Sequence, residues 1–138
     1  MVLFHVVYIS TATRPFEDGD AAAVLDDARA FNEQREVTGL LVHAAGCFLQ
    51  VLEGRADDVE AAYARASSSS RHHAILRTPA IEVDARVFPQ WRMGLEHAPS
   101  RVLVERVLQP LVNHNLLEGQ QVRAVLLERY MSDVDDLG

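Results

Sequence analysis

Tyr8, Asn32, Gln50, Trp91 and Met93 are the residues here whose chemistry exceeds what a core needs. A phenol is an oxidisable donor that also carries a proton. A primary amide has a donor end and an acceptor end, so one flip exchanges its two partners. In Phe48-Leu49-Gln50-Val51-Leu52, alternation puts Gln50 on a face with Phe48 and Leu52. An amide buried there without partners would cost roughly 1–3 kcal/mol. Tyr8 sits among Phe4 and Val6, with a hydroxyl that wants a partner. Asn32 falls at the edge of a helix's buried side, and Trp91, Met93 and Leu95 share a face of the last strand. Arg71, His72, His73 and Arg77 form a cationic spot able to hold an anion such as phosphate, and Arg65 lies off its helix's apolar stripe. Each residue also has an ordinary explanation. These are a satisfied glutamine, a core tyrosine, an asparagine ending a helix, core sulfur and indole, and a solvated loop. Taken singly, the ordinary explanation is the stronger one every time. Two adjacent histidines without further ligands make no metal site.

The elements that must position these residues are legible from periodicity. Residues 2–10 read as a strand rich in Val, Phe, Tyr and Ile, and residues 20–34 as a helix with Val24, Ala28 and Phe31 inward. Residues 38–43 and 47–52 are two nearly all-apolar strands joined through Gly46, which can supply the positive φ of a tight turn. Strands so apolar belong to the middle of a sheet. Glu53-Gly54-Arg55 turns into a second helix, 56–68, whose early Asp57 and Asp58 offset the helix dipole. The RHHAILR stretch reads as a loop, followed by strands at 79–86 and 90–97. Beyond Ala98-Pro99-Ser100 come amphipathic helical patterns at 101–108 and 118–131, interrupted by Gln109-Pro110 and Asn113-His114-Asn115. The order is that of an α+β fold, a mixed sheet with two helices on one face. The other face must be covered by the terminal helices or by a second copy of the chain.

The totals narrow the classes. A chain of 138 residues suits one domain with an appendage, and a net charge of −7 argues against nucleic acid or an anionic membrane as partner. The single cysteine, Cys47, excludes an internal disulfide. No apolar run reaches the ~18–20 residues of a membrane span. The N-terminus has no signal-peptide pattern, so a cytoplasmic protein is expected.

Together the residues form a familiar pattern. Tyr8 on the first strand, Asn32 ending the first helix, Gln50 on the third strand and Trp91-x-Met93 on the last come with the phrases VYISTA, N-x-x-x-x-VTGLL, FLQVLEG and RVFPQWRMG. The chain resembles a BLUF domain, a blue-light sensor that uses FAD, over residues 1–97. Residues 101–131 resemble the two-helix cap of short, single-domain members. The resemblance implies a ferredoxin-like βαββαββ fold with a five-stranded sheet, a sensor at 1–98 and a helical extension at 99–138. It implies FAD held non-covalently between the two helices, with Asn32 on the ring edge and Gln50 between Tyr8 and the flavin. Arg65, Arg71 and His72 would lie toward the ribityl-phosphate end. Light would drive electron and proton transfer from Tyr8 through Gln50 and leave the amide rearranged. Trp91 and Met93 would pass the signal to the terminal helices, and from there to a partner protein. A homo-oligomer through the sheet face or those helices is expected. Two positions depart from the family: Phe31 replaces a frequent polar residue, and Ser69-Ser70 replaces a frequent Asp-Pro before Arg71-His72.

Two other classes compete. A ferredoxin-like interaction or regulatory domain without flavin would be colourless and indifferent to light. A small hydrolase resembling an acylphosphatase would need an Arg-bearing anion loop after the first strand, for which TATRP is a poor substitute. No general base, nucleophile or metal set suggests a conventional enzyme.

Overall fold

The most apolar hairpin lies at the centre of the sheet, where nearly continuous hydrophobic strands belong. The computed structural model describes residues 2–13, 18–44, 46–98, 100–113 and 128. The described elements are β1 (Leu3–Ala12), α1 (Asp18–Arg35), β2 (Thr38–Ala44), β3 (Cys47–Gly54), α2 (Ala56–Ser67), β4 (His72–Arg77), β5 (Ile81–Val83) and β6 (Gly94–Glu96). The helical run α3 (Arg101–Leu103), a π turn (Val104–Leu108) and α4 (Gln109–Asn113) follows. The strand order is β4-β1-β3-β2-β6, antiparallel except for the parallel β2–β6 pair. Gly46 turns the hairpin at φ 74°.

Several elements differ from the sequence expectation. RHHAILR is not a loop: residues 72–77 form β4 on the edge of β1. The expected strand at 79–86 contracts to β5, which continues along the same edge of β1. Thr78 joins the two, its N–H donating to Val7 O at 2.9 Å and its hydroxyl accepting from Val7 N at 3.1 Å. Six strands therefore fill five positions across the sheet. The last strand shrinks from 90–97 to β6, because residues 88–91 form a turn closed by Trp91 N–H on Phe88 O at 3.2 Å.

α1 ends in a left-handed residue, Glu36 at φ 56°, with Val37 N–H reaching back to Asn32 O at 2.9 Å. That is the six-to-one bond of a helix stop in which glycine is usual. Gln109-Pro110 does not interrupt the terminal helix. Gln109 N–H bonds Val104 O, a wide turn that accommodates the proline ring and its missing donor. The expected helix at 118–131 lies outside the described residues, Glu128 excepted.

Two cores flank the sheet. On one face Val6, Tyr8, Leu41, Phe48, Leu52 and Met93 pack with Ala28 of α1 and with Val59 and Ala62 of α2. On the other Val7, Ile9, Leu40, Val42, Leu49 and Val51 are covered by Leu103, Val104, Val107, Leu108 and Leu111. The chain's own terminal helical run thus covers the sheet face that was otherwise open.

Candidate functional site

Register, which no local pattern reveals, places Tyr8 directly opposite Gln50 on β1 and β3. Both side chains stand on the α1–α2 face and are 4–5% exposed. The Tyr8 hydroxyl donates to Gln50 Oε1. The other end of the amide, Nε2, donates to Met93 Sδ at 3.2 Å. A thioether is a weak acceptor, so one end of the carboxamide is held firmly and the other loosely. Burial pushes the Tyr8 phenol well above its ordinary pKa; the nearby Arg65 charge opposes the rise and Tyr63 adds to it. The phenol therefore keeps its proton at neutral pH and donates it in a hydrogen bond to the Gln50 oxygen. Tyr63 meets Tyr8 edge-on, ring centroids 5.7 Å apart. Arg77 lies 4.4 Å over the Tyr63 ring and is fixed by two 2.8 Å bonds to Glu60.

Above this pair a cleft opens between α1 and α2. Its volume, solvent at the mouth included, is about 530 Å³, within the ~300–1,000 Å³ usual for small-molecule sites. Tyr8 and Gln50 belong to its lining. Val24, Ala28, Leu41, Phe48 and Ala66 supply apolar wall, and Asp27, Arg65, Ser69, Arg71 and His72 supply a polar rim. Arg65 Nε is buried without a hydrogen-bond partner. A buried guanidinium donor left unpaired fits an anionic or carbonyl-bearing ligand. His72 differs. Its Nε2 sits 2.7 Å from Ala66 O, a pure acceptor, so that nitrogen carries the proton; Nδ1 lies 2.7 Å from Ser10 Oγ. Both ring nitrogens are engaged within the protein, leaving the ring as wall.

Asn32 is buried at 2% exposure but is absent from the cleft lining. Its Nδ2 donates to Arg92 O at 2.7 Å, and Arg29, one turn earlier, donates to Met93 O at 3.1 Å. Two side chains of α1 thus clamp the backbone that presents Met93. The Arg29 half of this clamp leaves no local signal in the sequence, because its partner is a backbone carbonyl 64 residues away. Phe31 lies under two guanidinium groups, Arg35 at 5.2 Å and Arg65 at 5.5 Å.

Trp91 and Met93 do not share a face. Met93 is 1% exposed in the core beside Tyr8, whereas Trp91 is 44% exposed and stacks on Phe88 with centroids 5.6 Å apart at 12°. The period-two expectation fails because both residues precede β6 and lack strand geometry.

An apolar slot over a buried phenol–amide pair, with a cationic rim, suits a flat heterocycle bearing an anionic tail. The sequence pattern of sensors of blue light using FAD matches residues 3–94. The chain belongs to the BLUF family. Its cofactor is accordingly FAD, and its role is blue-light sensing. Among curated relatives, the photoactivated adenylate cyclase subunit beta of Euglena gracilis is 36% identical over 92 residues, 66% of this chain and 11% of that protein. Subunit alpha from the same organism is 33% identical over 86 residues, 62% of this chain and 8% of that protein. The chain thus spans about a tenth of the length of these relatives. Among solved structures, the dark state of BlrB, a BLUF protein, superposes with TM-score 0.69 at 21% identity, covering 99% of this chain and 92% of that one. The photo-activated state of BlsA gives TM-score 0.66 at 24% identity, covering 94% of each chain. A bacterial light-regulated adenylyl cyclase gives 0.67 at 23% identity, covering 89% of this chain and 35% of that one. These likenesses bear out the ferredoxin-like fold. Among the described residues no helix is long and apolar enough to cross a membrane.

Proposed function

We propose that Tyr8 and Gln50 are the photochemical relay of this BLUF domain, with Met93 as the first residue to register its setting. When bound, the flavin supplies blue-light absorption and an excited state able to oxidise a phenol. The chain's own residues hold and move one proton. The Tyr8 hydroxyl proton points at Gln50 Oε1, the path along which it leaves as the phenol is oxidised and by which it returns. The carboxamide has two settings. In one, oxygen faces the phenol and nitrogen faces Met93 sulfur; in the other, the ends are exchanged. In a dry site such an exchange biases a two-state element by kcal/mol. Arg65 and Arg71 would meet the anionic part of FAD, and His72 would wall it. Asn32 would act on the ring edge while one N–H of its amide is given to Arg92 O.

In this reading residues 1–98 are the sensor and 99–138 the cap that carries the output. The signal leaves through Met93, Trp91 and the terminal helices by contact with a partner protein or a second copy of the chain, in the cytoplasm. The single observation that carries the reading is the buried Tyr8–Gln50–Met93 chain at the floor of the cleft. Gln50→Leu keeps the volume and removes both amide ends. The variant is expected to retain FAD and lose the light-induced red shift; a surviving shift would refute the relay.

A further inference from the structure

The position of Trp91 is over-determined by residues outside the cleft. Its ring lies on Phe88, which is 5% exposed and anchored in the core beneath the terminal helices. Its edge lies over Gly94. A Cβ at position 94 would stand 2.5 Å from Trp91 Cε3 and 3.1 Å from two further ring atoms, so no larger residue fits beneath the indole where it is. Its backbone is tied as well, Trp91 O accepting from Gly39 N at 3.0 Å.

The support under Phe88 is a buried carboxylate. Glu53 is 0% exposed and accepts backbone N–H bonds from Val87 at 2.6 Å and Phe88 at 2.9 Å. Arg86 completes the joint by donating to Thr38 Oγ1 and to Glu53 O, each at 2.9 Å. Glu53 follows Gln50 by three residues on β3, so alternation sends the two side chains to opposite faces. One strand thus touches Met93 on the cleft side through Gln50 and supports Trp91 on the cap side through Glu53.

We propose that Phe88 and Gly94, braced by Glu53, are positioning residues that hold Trp91 on the cap side of the sheet while Met93 occupies the place beside Gln50. They act through Trp91, not on the cofactor. The proposal deepens the assignment of Trp91 and Met93 to signal output and rests on it for its consequence, though not for its geometry. Any exchange of the two residues must first lift the indole off Phe88 and away from Gly94.

Trp91 is the sole tryptophan of the chain, so labelling the full-length, FAD-loaded protein with 5-fluorotryptophan places one ¹⁹F reporter on this ring. In the dark, wild type should give a line displaced from that of the urea-unfolded protein by its stacking on Phe88. Gly94→Ala and Phe88→Leu should each move the line toward the unfolded value with the flavin band and far-UV circular dichroism retained. Phe88→Tyr, which keeps the stacked ring, should restore the wild-type line. If Gly94→Ala does not fold, Phe88→Leu against Phe88→Tyr carries the same test. An unchanged line in folded Gly94→Ala or Phe88→Leu would overturn the proposal. Absence of any light-induced absorption shift in wild type would instead count against the photochemical reading, and the dark-state lines would still decide the platform.

Discussion

His5 gives the sharpest quantitative test of how this fold is held together. It stands on the cap-side face of β1, 6% exposed, and neither ring nitrogen has a hydrogen-bond partner. Its cross-strand neighbour is Glu53, whose carboxylate is turned to Val87 and Phe88. Burial lowers the imidazole pKa from 6.5 to about 4. The folded protein therefore binds fewer protons than the unfolded chain between these values. The stability tied to neutral His5 is intact above pH 6.5, falls as the pH drops below it and levels off near pH 4. Integrated from pH 7.5 to 5, the loss is about 2 kcal/mol. His5→Leu removes it, and also removes an unsatisfied polar group worth roughly 1–3 kcal/mol at any pH. Urea unfolding of both proteins at several pH values between 7.5 and 5 measures the difference. The variant should be the more stable throughout, with the gap widening by about 2 kcal/mol toward pH 5. Parallel curves would mean that the imidazole protonates without cost, and the burial argument would fail.

Two further outcomes follow from close contacts. Gly39→Ala should prevent native pairing of β2 with β3, since its Cβ would fall 1.9 Å from Val51 O; the expected loss is roughly 4 kcal/mol or more, read as failure to fold or a collapsed denaturation midpoint. Glu53→Gln exchanges one accepting oxygen for an NH₂ group facing a backbone N–H, and should cost roughly 1.5–3 kcal/mol in urea unfolding. Because burial raises the Glu53 pKa above 4.5, the stability tied to this carboxyl is fullest below that value and declines as pH rises, so the wild-type advantage should narrow upward.

The functional pair was legible because alternation is a local property: Tyr8 and Gln50 each stood out as polar residues on apolar faces. Their contact follows from the family resemblance and not from periodicity, because the β1–β3 register joins residues 42 apart. β4 was hidden by its composition and by Ala74, whose φ of 54° accompanies a register irregularity against β1 and breaks the alternation. A period of two puts Trp91 and Met93 on one face, but both residues precede β6, where the backbone turns. Glu53 read as a turn residue; only the 86–88 segment, more than thirty residues later, makes it a buried bracket.

The relay itself is tested most directly by one pair of absorption spectra on the FAD-loaded protein, in the dark and immediately after blue light. A flavin band that moves to the red and relaxes back in darkness is the expected result. A flavin band that stays fixed under illumination would contradict the switch built on Tyr8 and Gln50.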